Sequence, residues 1–235
     1  MLLELGLVPM ILLAQKKAVK NWFRIASGEN CNALVIESYQ GALSENLSWP
    51  ENVENLISSI GLRQSFIDMD PDIHSQVYQR LWDIFHQNAF TDIKNVASKL
   101  RTYSKFKTEP GFEKYLDDVR YVKERTALTK LRLSNHLLMI EKGRHLNIEK
   151  NMRFCPFCPG IVEDEKHFLT RCPQYRYIRA ELLRNAKESI PSIQNHSDDM
   201  RFVYLMSKTP SLVSKFASNA MELREFLLAN HKSLD

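Results

Sequence analysis

The chain has 235 residues, of which 44% are hydrophobic and 26% are charged, and this composition excludes an intrinsically disordered protein. Its 4 cysteines are too few for a disulfide framework and its apolar stretches are too short to cross a bilayer, so we expect an intracellular protein, nuclear or cytoplasmic, with no membrane partner. The net charge of +4 is uneven: residues 1–93 have 6 Lys/Arg and 11 Asp/Glu (net −5), residues 94–153 have 15 and 7 (net +8), and residues 154–235 have 11 and 10 (net +1).

Apolar residues at helical spacing are the main structural signal in the N-terminal helical region, residues 1–97. Strict alternation is rare and the whole chain has only 7 Gly and 9 Pro, so we predict a mainly α fold. Asp70-Pro71-Asp72 is a favourable helix start, because proline suits the first turn and acidic residues favour the positive end of the helix dipole. The helices predicted here span residues 10–25, 33–42, 49–60 and from 70 to about 97.

Positive charge is concentrated in the basic helical region, residues 98–153. Between Ser98 and Lys107, basic residues interleave with Tyr103 and Phe106, an arrangement that can bind phosphates while the rings stack on bases. The alternative is a helix end that packs both rings into the core. One regular helix is predicted over residues 126–143, with Thr126 as its cap and Gly143 at its end. The candidate nucleic-acid contacts are Lys99, Arg101, Lys105, Lys107, Lys123, Arg125, Lys130, Arg132, Arg144 and Arg153.

One short motif in this region imitates a catalytic site. Tyr115-Leu116-Asp117-Asp118 matches the Y-x-D-D pattern of polymerase metal sites, where two carboxylates on a hairpin bind magnesium. Its flanks indicate a charged amphipathic helix, with Tyr115, Leu116, Val119 and Val122 facing inward, and not a hairpin. Because no acid–base pair, activated nucleophile or open metal position is identifiable in the sequence, we predict no catalytic residues and no enzymatic activity.

The strongest motif is C-x2-C-x8-H-x4-C, formed by Cys155, Cys158, His167 and Cys172 within 18 residues. A Cys3His set closes a four-coordinate zinc site with no open position, so we predict a structural Zn2+ ion in a zinc knuckle over residues 154–175. The alternative is a group of buried free cysteines beside a surface histidine. A Cys155–Cys158 redox pair is disfavoured because no redox-type strand and helix surround it.

The residues around the ligands fit a knuckle. Pro159-Gly160 predicts a turn after the second ligand, and the acidic run 163–165 predicts the first turn of a helix. Arg153, Lys166 and Arg171 are expected to offset the negative charge of three thiolates around a divalent ion, with ordinary solvated charge as the alternative.

Helices resume after the knuckle, over the C-terminal helices of residues 176–235. An apolar face containing Tyr175, Ile178, Leu182 and Ala186 predicts a first helix with Arg176, Arg179 and Arg184 on its outer side. Two final helices are predicted over residues 198–207 and 211–229. The fold expected for the whole chain is thus a helical domain with a small CCHC zinc knuckle inserted between helices.

Three motifs together resemble a known family. They are Ser98-Lys-Leu-x-x-Tyr-x-x-Phe-Lys107, Leu131-Arg-Leu-Ser-x-His-x-Leu-x-Ile-Glu-x-Gly-Arg144 and Glu163-Asp-Glu-x-His-Phe-Leu-x-x-Cys-Pro-x-Tyr175. This order resembles the region downstream of the reverse transcriptase in animal non-LTR (LINE-type) retrotransposon polyproteins. The resemblance is strongest from about residue 98 to 180, and it implies that the knuckle handles nucleic acid during target-primed reverse transcription.

The chain also departs from those polyproteins. It has no reverse transcriptase and no apurinic-type endonuclease before the knuckle, and no restriction-like nuclease pattern after Cys172. We therefore expect a detached tail whose partners are RNA or DNA and the missing reverse transcriptase portion. The function predicted from the sequence is a zinc-stabilised nucleic-acid-binding module. The alternative is a protein-interaction module in which zinc only holds the helices together.

Overall fold

The structure is a computed structural model that describes residues 2–94, 99–109 and 111–231, with the side chains of Leu2 and His231 excluded. The predicted boundary at residue 97 and the predicted helix end near Ala97 lie outside these ranges. The fold is mainly α, as predicted, and the described residues contain one two-stranded sheet. None of the described helices is both long and apolar enough to span a bilayer.

The chain divides into two compact units, an N-terminal unit of residues 2–91 and a C-terminal unit of residues 92–235. The N-terminal unit buries Val19, Trp22, Ile57 and Val77 in one core, where the Trp22 ring stacks on Phe66 at 4.4 Å between centroids. Its helices are α1 (Leu2–Leu5), α2 (Met10–Ala26), α3 (Ala33–Ser44), α4 (Ser48–Ser59), α5 (Arg63–Ile67) and α6 (Ile73–Lys94), the last of which ends beyond residue 91.

The C-terminal unit contains the basic region, the knuckle and the last helices. Its longest helix, α12, packs mainly along α8 and also against α10 and α11. The elements are a 3-10 turn (Tyr103–Lys105), α7 (Tyr115–Asp118), α8 (Val122–Arg132), α9 (Met139–His145), a 3-10 turn (Lys150–Met152), β1 (Phe154–Cys155), β2 (Cys158–Val162), a π-helical turn (His167–Arg171), a 3-10 turn (Pro173–Tyr175), α10 (Arg176–Ala186), a 3-10 turn (Ile193–Asn195), α11 (Asp198–Lys208) and α12 (Pro210–His231).

The helix predicted over residues 126–143 is instead two helices. Helix α8 starts earlier, at Val122, so that Thr126 lies inside it and does not cap it. The chain then leaves the helix at Ser134, whose φ of 49° lies in the left-handed region. This break turns the Ser134 hydroxyl towards the Glu165 carboxylate, to which it donates a hydrogen bond of 2.9 Å. A buried polar partner distant in sequence therefore overrides the local helical pattern.

The Y-x-D-D motif forms a short helix, α7, as its flanks predicted, and not a hairpin. The Tyr115 ring is buried, and its hydroxyl shares a 2.9 Å hydrogen bond with the Thr129 hydroxyl of α8. Val119 is buried, but Val122 is 64% exposed, so the prediction that it faces inward was wrong. Both aspartates of the motif are exposed.

Candidate metal centre

The four side chains predicted as metal ligands converge in the C-terminal unit. One donor atom from each of Cys155, Cys158, His167 and Cys172 lies within 4.8 Å of the others, and all four residues are buried. The Cys172 sulfur is 4.0 Å from the Cys155 sulfur and 3.7 Å from the Cys158 sulfur. For comparison, Zn–S bonds of about 2.3 Å in a tetrahedron place two sulfurs about 3.8 Å apart. The cluster can therefore hold a metal ion.

The histidine supports the same conclusion. His167 is only 4% exposed, so the alternative of a surface histidine beside free cysteines does not describe this chain. Both of its ring nitrogens are buried without a hydrogen-bond partner in the part of the chain that the structure describes. Buried polar atoms rarely lack a hydrogen-bond partner, because burying an unpaired polar atom costs free energy. Coordination of a metal by one ring nitrogen would remove part of this cost.

A tight hairpin positions the first two ligands. Strands β1 and β2 are antiparallel, with Cys155 opposite Cys158 and an irregular register between Phe154 and Cys155. Gly160 has a φ of +76°, a conformation that favours glycine, so the strand bends immediately after the second ligand. The prediction of a turn at Pro159-Gly160 was wrong: both residues belong to β2, and the hairpin turn is formed by Pro156 and Phe157, between the two ligands.

A π-helical turn positions the other two ligands. The Cys172 amide donates to the His167 carbonyl at 2.8 Å, a bond between residues five apart in sequence. In a π-turn, residues at this separation lie on the same face, which an ordinary α-helix does not achieve. The Asp164 carboxylate accepts a 2.6 Å hydrogen bond from the His167 amide and so caps the start of the turn. The four-residue gap between His167 and Cys172 is explained by this geometry.

A buried arginine stabilises the end of the π-turn. Arg179 of α10 is only 8% exposed, and its guanidinium donates to the carbonyl oxygens of Leu169 at 2.9 Å, Cys172 at 2.6 Å and Phe168 at 3.3 Å. Burial lowers the pKa of Arg179, and the charge of Cys172 partly opposes this. The sequence pattern placed Arg179 on the outer side of its helix, which was wrong, because these carbonyls require an internal donor.

The three thiols do not ionise equally. A hydrogen bond with Cys172 is the main cause that lowers the pKa of Cys155 to about 4, although burial opposes it. The same contact together with burial raises the pKa of Cys172, and burial raises the pKa of Cys158. At neutral pH the cluster therefore retains protons that must leave before all three sulfurs can bind a metal as thiolates.

Glu163 connects the knuckle to two helices. Its carboxylate accepts two hydrogen bonds from the Arg224 guanidinium of α12, at 2.9 and 2.7 Å, and one from the Met139 amide at the start of α9, at 2.6 Å. Burial opposes the charge of Arg224, but the hydrogen bonds and charge of Glu163 outweigh it and raise the pKa of Arg224. The first residue of the acidic run is therefore a buried ion-pair partner and not a solvated residue of a first helical turn.

Glu165 forms a second buried network. One of its carboxylate oxygens accepts from Arg101 at 2.6 Å and from Ser134 at 2.9 Å, and it contacts the Nε2 atom of His136 at 2.9 Å. Burial would raise the pKa of Glu165, but the His136 hydrogen bond and the Arg101 charge hold it below its usual value. Arg101 also bonds Glu141 at 2.5 Å. This network connects the start of the C-terminal unit to the knuckle.

Many of the predicted nucleic-acid contacts have structural roles. Arg132 is 1% exposed, donates to Glu113 and to the Met206 carbonyl, and lies 4.7 Å from the centre of the Phe106 ring. Lys107 is 5% exposed and bonds the Glu113 carboxylate and the Gly111 carbonyl. Neither side chain can reach a phosphate, which corrects the prediction for both. Internal hydrogen bonds or ion pairs also engage Arg101, Lys123, Arg125, Arg144 and Arg153.

The remaining predicted contacts are Lys99, Lys105 and Lys130, which are exposed and have no hydrogen bond or ion pair from their ammonium groups to any described residue. Tyr103 and Phe106 are buried, so the core alternative describes them and stacking on bases does not. The positive charge of the sequence block is therefore partly neutralised inside the molecule.

The residues expected to offset the charge of the metal site are also paired elsewhere. Lys166 bonds Asp199 at 2.8 Å, and Arg171 bonds Asp198 at 2.7 Å, so both connect the π-turn to α11. The Arg153 guanidinium donates to the carbonyls of Ile148 and Ile140. Arg179, which sequence reasoning missed, is the cation that donates to the backbone of the Cys172 ligand itself.

A scan against protein-family models, a search of curated proteins and a search of solved structures each gave no match to this chain.

Proposed function

We propose that this chain is a zinc-stabilised helical module that binds nucleic acid. Cys155, Cys158, His167 and Cys172 would hold the zinc ion, which would supply a structural cross-link between the hairpin and the π-turn. The convergence of the four buried donors carries this proposal. A Cys3His set has no open coordination position, so the proposed zinc is structural and not catalytic. Derivation from a retrotransposon polyprotein, with the reverse transcriptase portion as a partner, belongs to the same proposal.

Exposed lysines support the nucleic-acid part of the proposal. Lys142 of α9 is a fourth exposed lysine beside Lys99, Lys105 and Lys130, and its ammonium group forms no ion pair or hydrogen bond with any described residue. Free ammonium groups attract phosphates and displace their counterions, which gives binding that does not depend on base sequence.

A second candidate function is a protein-interaction module with a purely structural zinc. The observation that favours it is the number of basic residues in the sequence block that form internal ion pairs, such as Arg132 with Glu113 and Arg101 with Glu165. Basic side chains that form ion pairs inside the protein are not available to bind phosphates. This candidate predicts a folded, zinc-loaded chain that binds no oligonucleotide.

Metal analysis tests the zinc site. We expect one zinc per purified chain, and none in Cys158→Ser, because structural sites lose affinity when one ligand is removed. Cys31→Ser is the matched control, since Cys31 lies outside the cluster and its thiol donates to the Arg24 carbonyl. Retention of stoichiometric zinc by Cys158→Ser would contradict the assignment.

Oligonucleotide binding tests the second part. For the zinc-loaded chain we expect binding of RNA or DNA at low salt, with the logarithm of the affinity falling linearly with the logarithm of the salt concentration. Fluorescence anisotropy of a labelled oligonucleotide over a salt series measures the affinity and its dependence on salt. If the zinc-loaded chain binds neither RNA nor DNA at low salt, the nucleic-acid function is wrong and the protein-interaction candidate replaces it.

A further inference from the structure

A groove of about 740 Å³ lies between α8, α9 and α12 in the C-terminal unit, and we call it the α8–α12 groove. It is outside the metal centre. Its basic residues come from α8 and α9 and its acidic residues from α12, while apolar side chains lie between them. The residues that matter here are Lys123, Lys130, Lys142, Glu222, Glu225 and His136.

The charges of the groove are available to a ligand. Lys130 and Lys142 are exposed, and their ammonium groups form no ion pair or hydrogen bond within the described ranges. Lys123 and Glu222 form an ion pair across the groove, but their side chains are 70% and 51% exposed. Exposed pairs contribute little stability, so this one can open at small cost when a ligand binds.

A buried histidine also lines the groove. The His136 side chain is 2% exposed, and its Nε2 atom contacts the Glu165 carboxylate, which also accepts from Arg101 and Ser134. Since that oxygen is an acceptor, Nε2 is the donor. Nδ1 is buried and has no partner among the described residues. His136 thus joins the lining of the groove to the Glu165 network.

We propose that the α8–α12 groove binds single-stranded nucleic acid, with phosphates on Lys123, Lys130 and Lys142 and with base amino groups donating to Glu225 and Glu222. This inference rests on the proposed function and specifies its site. A volume of about 740 Å³ lies within the range of about 300–1,000 Å³ typical of small-ligand sites and suits a few unpaired nucleotides. In an RNA duplex the amino groups of cytosine and adenine lie in a deep, narrow major groove that side chains cannot enter, so a duplex cannot present these atoms to the acidic wall.

The two walls also predict a base preference. Cytosine, adenine and guanine carry exocyclic amino groups that donate to carboxylates, whereas uracil carries none. We therefore expect oligo(rC) to bind more tightly than oligo(rU). One such contact typically discriminates by about tenfold, which is the difference expected here.

The experiment measures binding of labelled oligo(rC), oligo(rU) and an RNA duplex to the full zinc-loaded chain at low salt. We expect the double substitution Lys130→Glu/Lys142→Glu to weaken oligo(rC) binding at least tenfold, and Glu225→Gln to reduce the preference for oligo(rC) over oligo(rU). The control Lys150→Glu/Lys187→Glu makes the same charge change at exposed lysines that do not line the groove. Zinc content and the melting temperature confirm that each variant is folded.

The outcomes separate this inference from the function on which it rests. Binding that survives Lys130→Glu/Lys142→Glu but is lost in Lys99→Glu/Lys105→Glu would keep the function and overturn the groove. The groove proposal would also be overturned if the duplex and oligo(rU) bound as tightly as oligo(rC). A labelled amphipathic helical peptide of Lys, Glu and Leu tests a protein occupant. If Lys130→Glu/Lys142→Glu abolishes binding of this peptide and leaves oligo(rC) binding unchanged, the groove binds a protein helix and not nucleic acid. Absence of all oligonucleotide binding would reject the function itself.

Discussion

At the scale of single residues, the metal centre depends on side chains that are not ligands. Arg179 satisfies three carbonyl oxygens of the segment that carries His167 and Cys172, and Asp164 caps the same segment. The ligands could be recognised from the sequence because cysteine and histidine at knuckle spacing are rare. The role of Arg179 could not be recognised from the sequence, because an arginine on an amphipathic helix is usually solvated. Its three carbonyl partners come together only when the π-turn forms.

Arg179→Met tests this role. The substitution leaves three carbonyls without their buried donor, which we expect to cost about 3 kcal/mol of the free energy of unfolding and to weaken zinc binding about 10- to 100-fold. Urea denaturation and competition with a zinc chelator measure the two effects. Arg176→Met is the control, since Arg176 is exposed and its guanidinium donates to the hydroxyl of the exposed Tyr177. Equal effects of the two substitutions would refute a specific role for Arg179.

Gly143 provides a second test at this scale. A Cβ atom there would lie 2.7 Å from the Cγ atom of Arg153 and 3.0 Å from its Cδ atom. Because the Arg153 guanidinium is held by two carbonyls, the side chain cannot withdraw without losing them, and we expect Gly143→Ala to destabilise the chain by about 1–3 kcal/mol. Gly41→Ala in α3 has nothing within 4 Å of the added atom and should stabilise by up to about 1 kcal/mol. Thermal denaturation measures the change in stability of both variants, and a similar change in the two would contradict the prediction.

At the scale of elements, long-range ion pairs join helices that the sequence pattern describes separately. Glu163 and Arg224 are 61 residues apart, and Arg101 and Glu165 are 64 apart. The acidic run does start a helix, at Glu165 with Asp164 as its cap. A local pattern cannot identify distant partners, however, so it does not reveal that Glu163 pairs with Arg224 or that part of the basic block is paired internally. The same limitation explains why one helix was predicted where the chain breaks at Ser134 to reach Glu165.

The Glu163–Arg224 pair makes this point testable. Arg224→Met leaves the Glu163 carboxylate buried without its cation, which we expect to cost about 3–5 kcal/mol. Adding Glu163→Gln removes the buried charge while an amide oxygen can still accept from the Met139 amide. The double variant should therefore regain part of the lost stability, as measured by urea denaturation. A double variant that is less stable than Arg224→Met would show that the pair is not the source of the effect.

At the scale of the whole molecule, the mainly α class and the position of the metal cluster were predictable, because periodicity and ligand spacing are local properties. The two units and the α8–α12 groove were not, since they arise from packing between distant segments. All four donors lie in the C-terminal unit, and the core of the N-terminal unit around Trp22 and Ile57 contains none of them.

This distribution predicts a localised response to acid. Cys158 and Cys172 have raised pKa values without metal, so protons compete with the metal more strongly as the pH falls, and zinc affinity should decrease steadily from pH 8 to pH 5. Hydrogen exchange should then show early loss of protection in residues 154–175. Protection of the core around Trp22 should persist, and simultaneous loss in both places would contradict the localisation of the effect.

The turn that carries the third and fourth ligands has a consequence for chains of a related design. A π-turn contains one residue more than an α-turn, yet residues four apart on an ordinary α-helix also share a face. Removing one residue between the histidine and the last cysteine would therefore convert the π-turn to an α-helical turn and still keep both donor atoms on one face. Sequences written C-x2-C-x8-H-x3-C are thus compatible with the same metal geometry, and a search restricted to the longer spacing would overlook them.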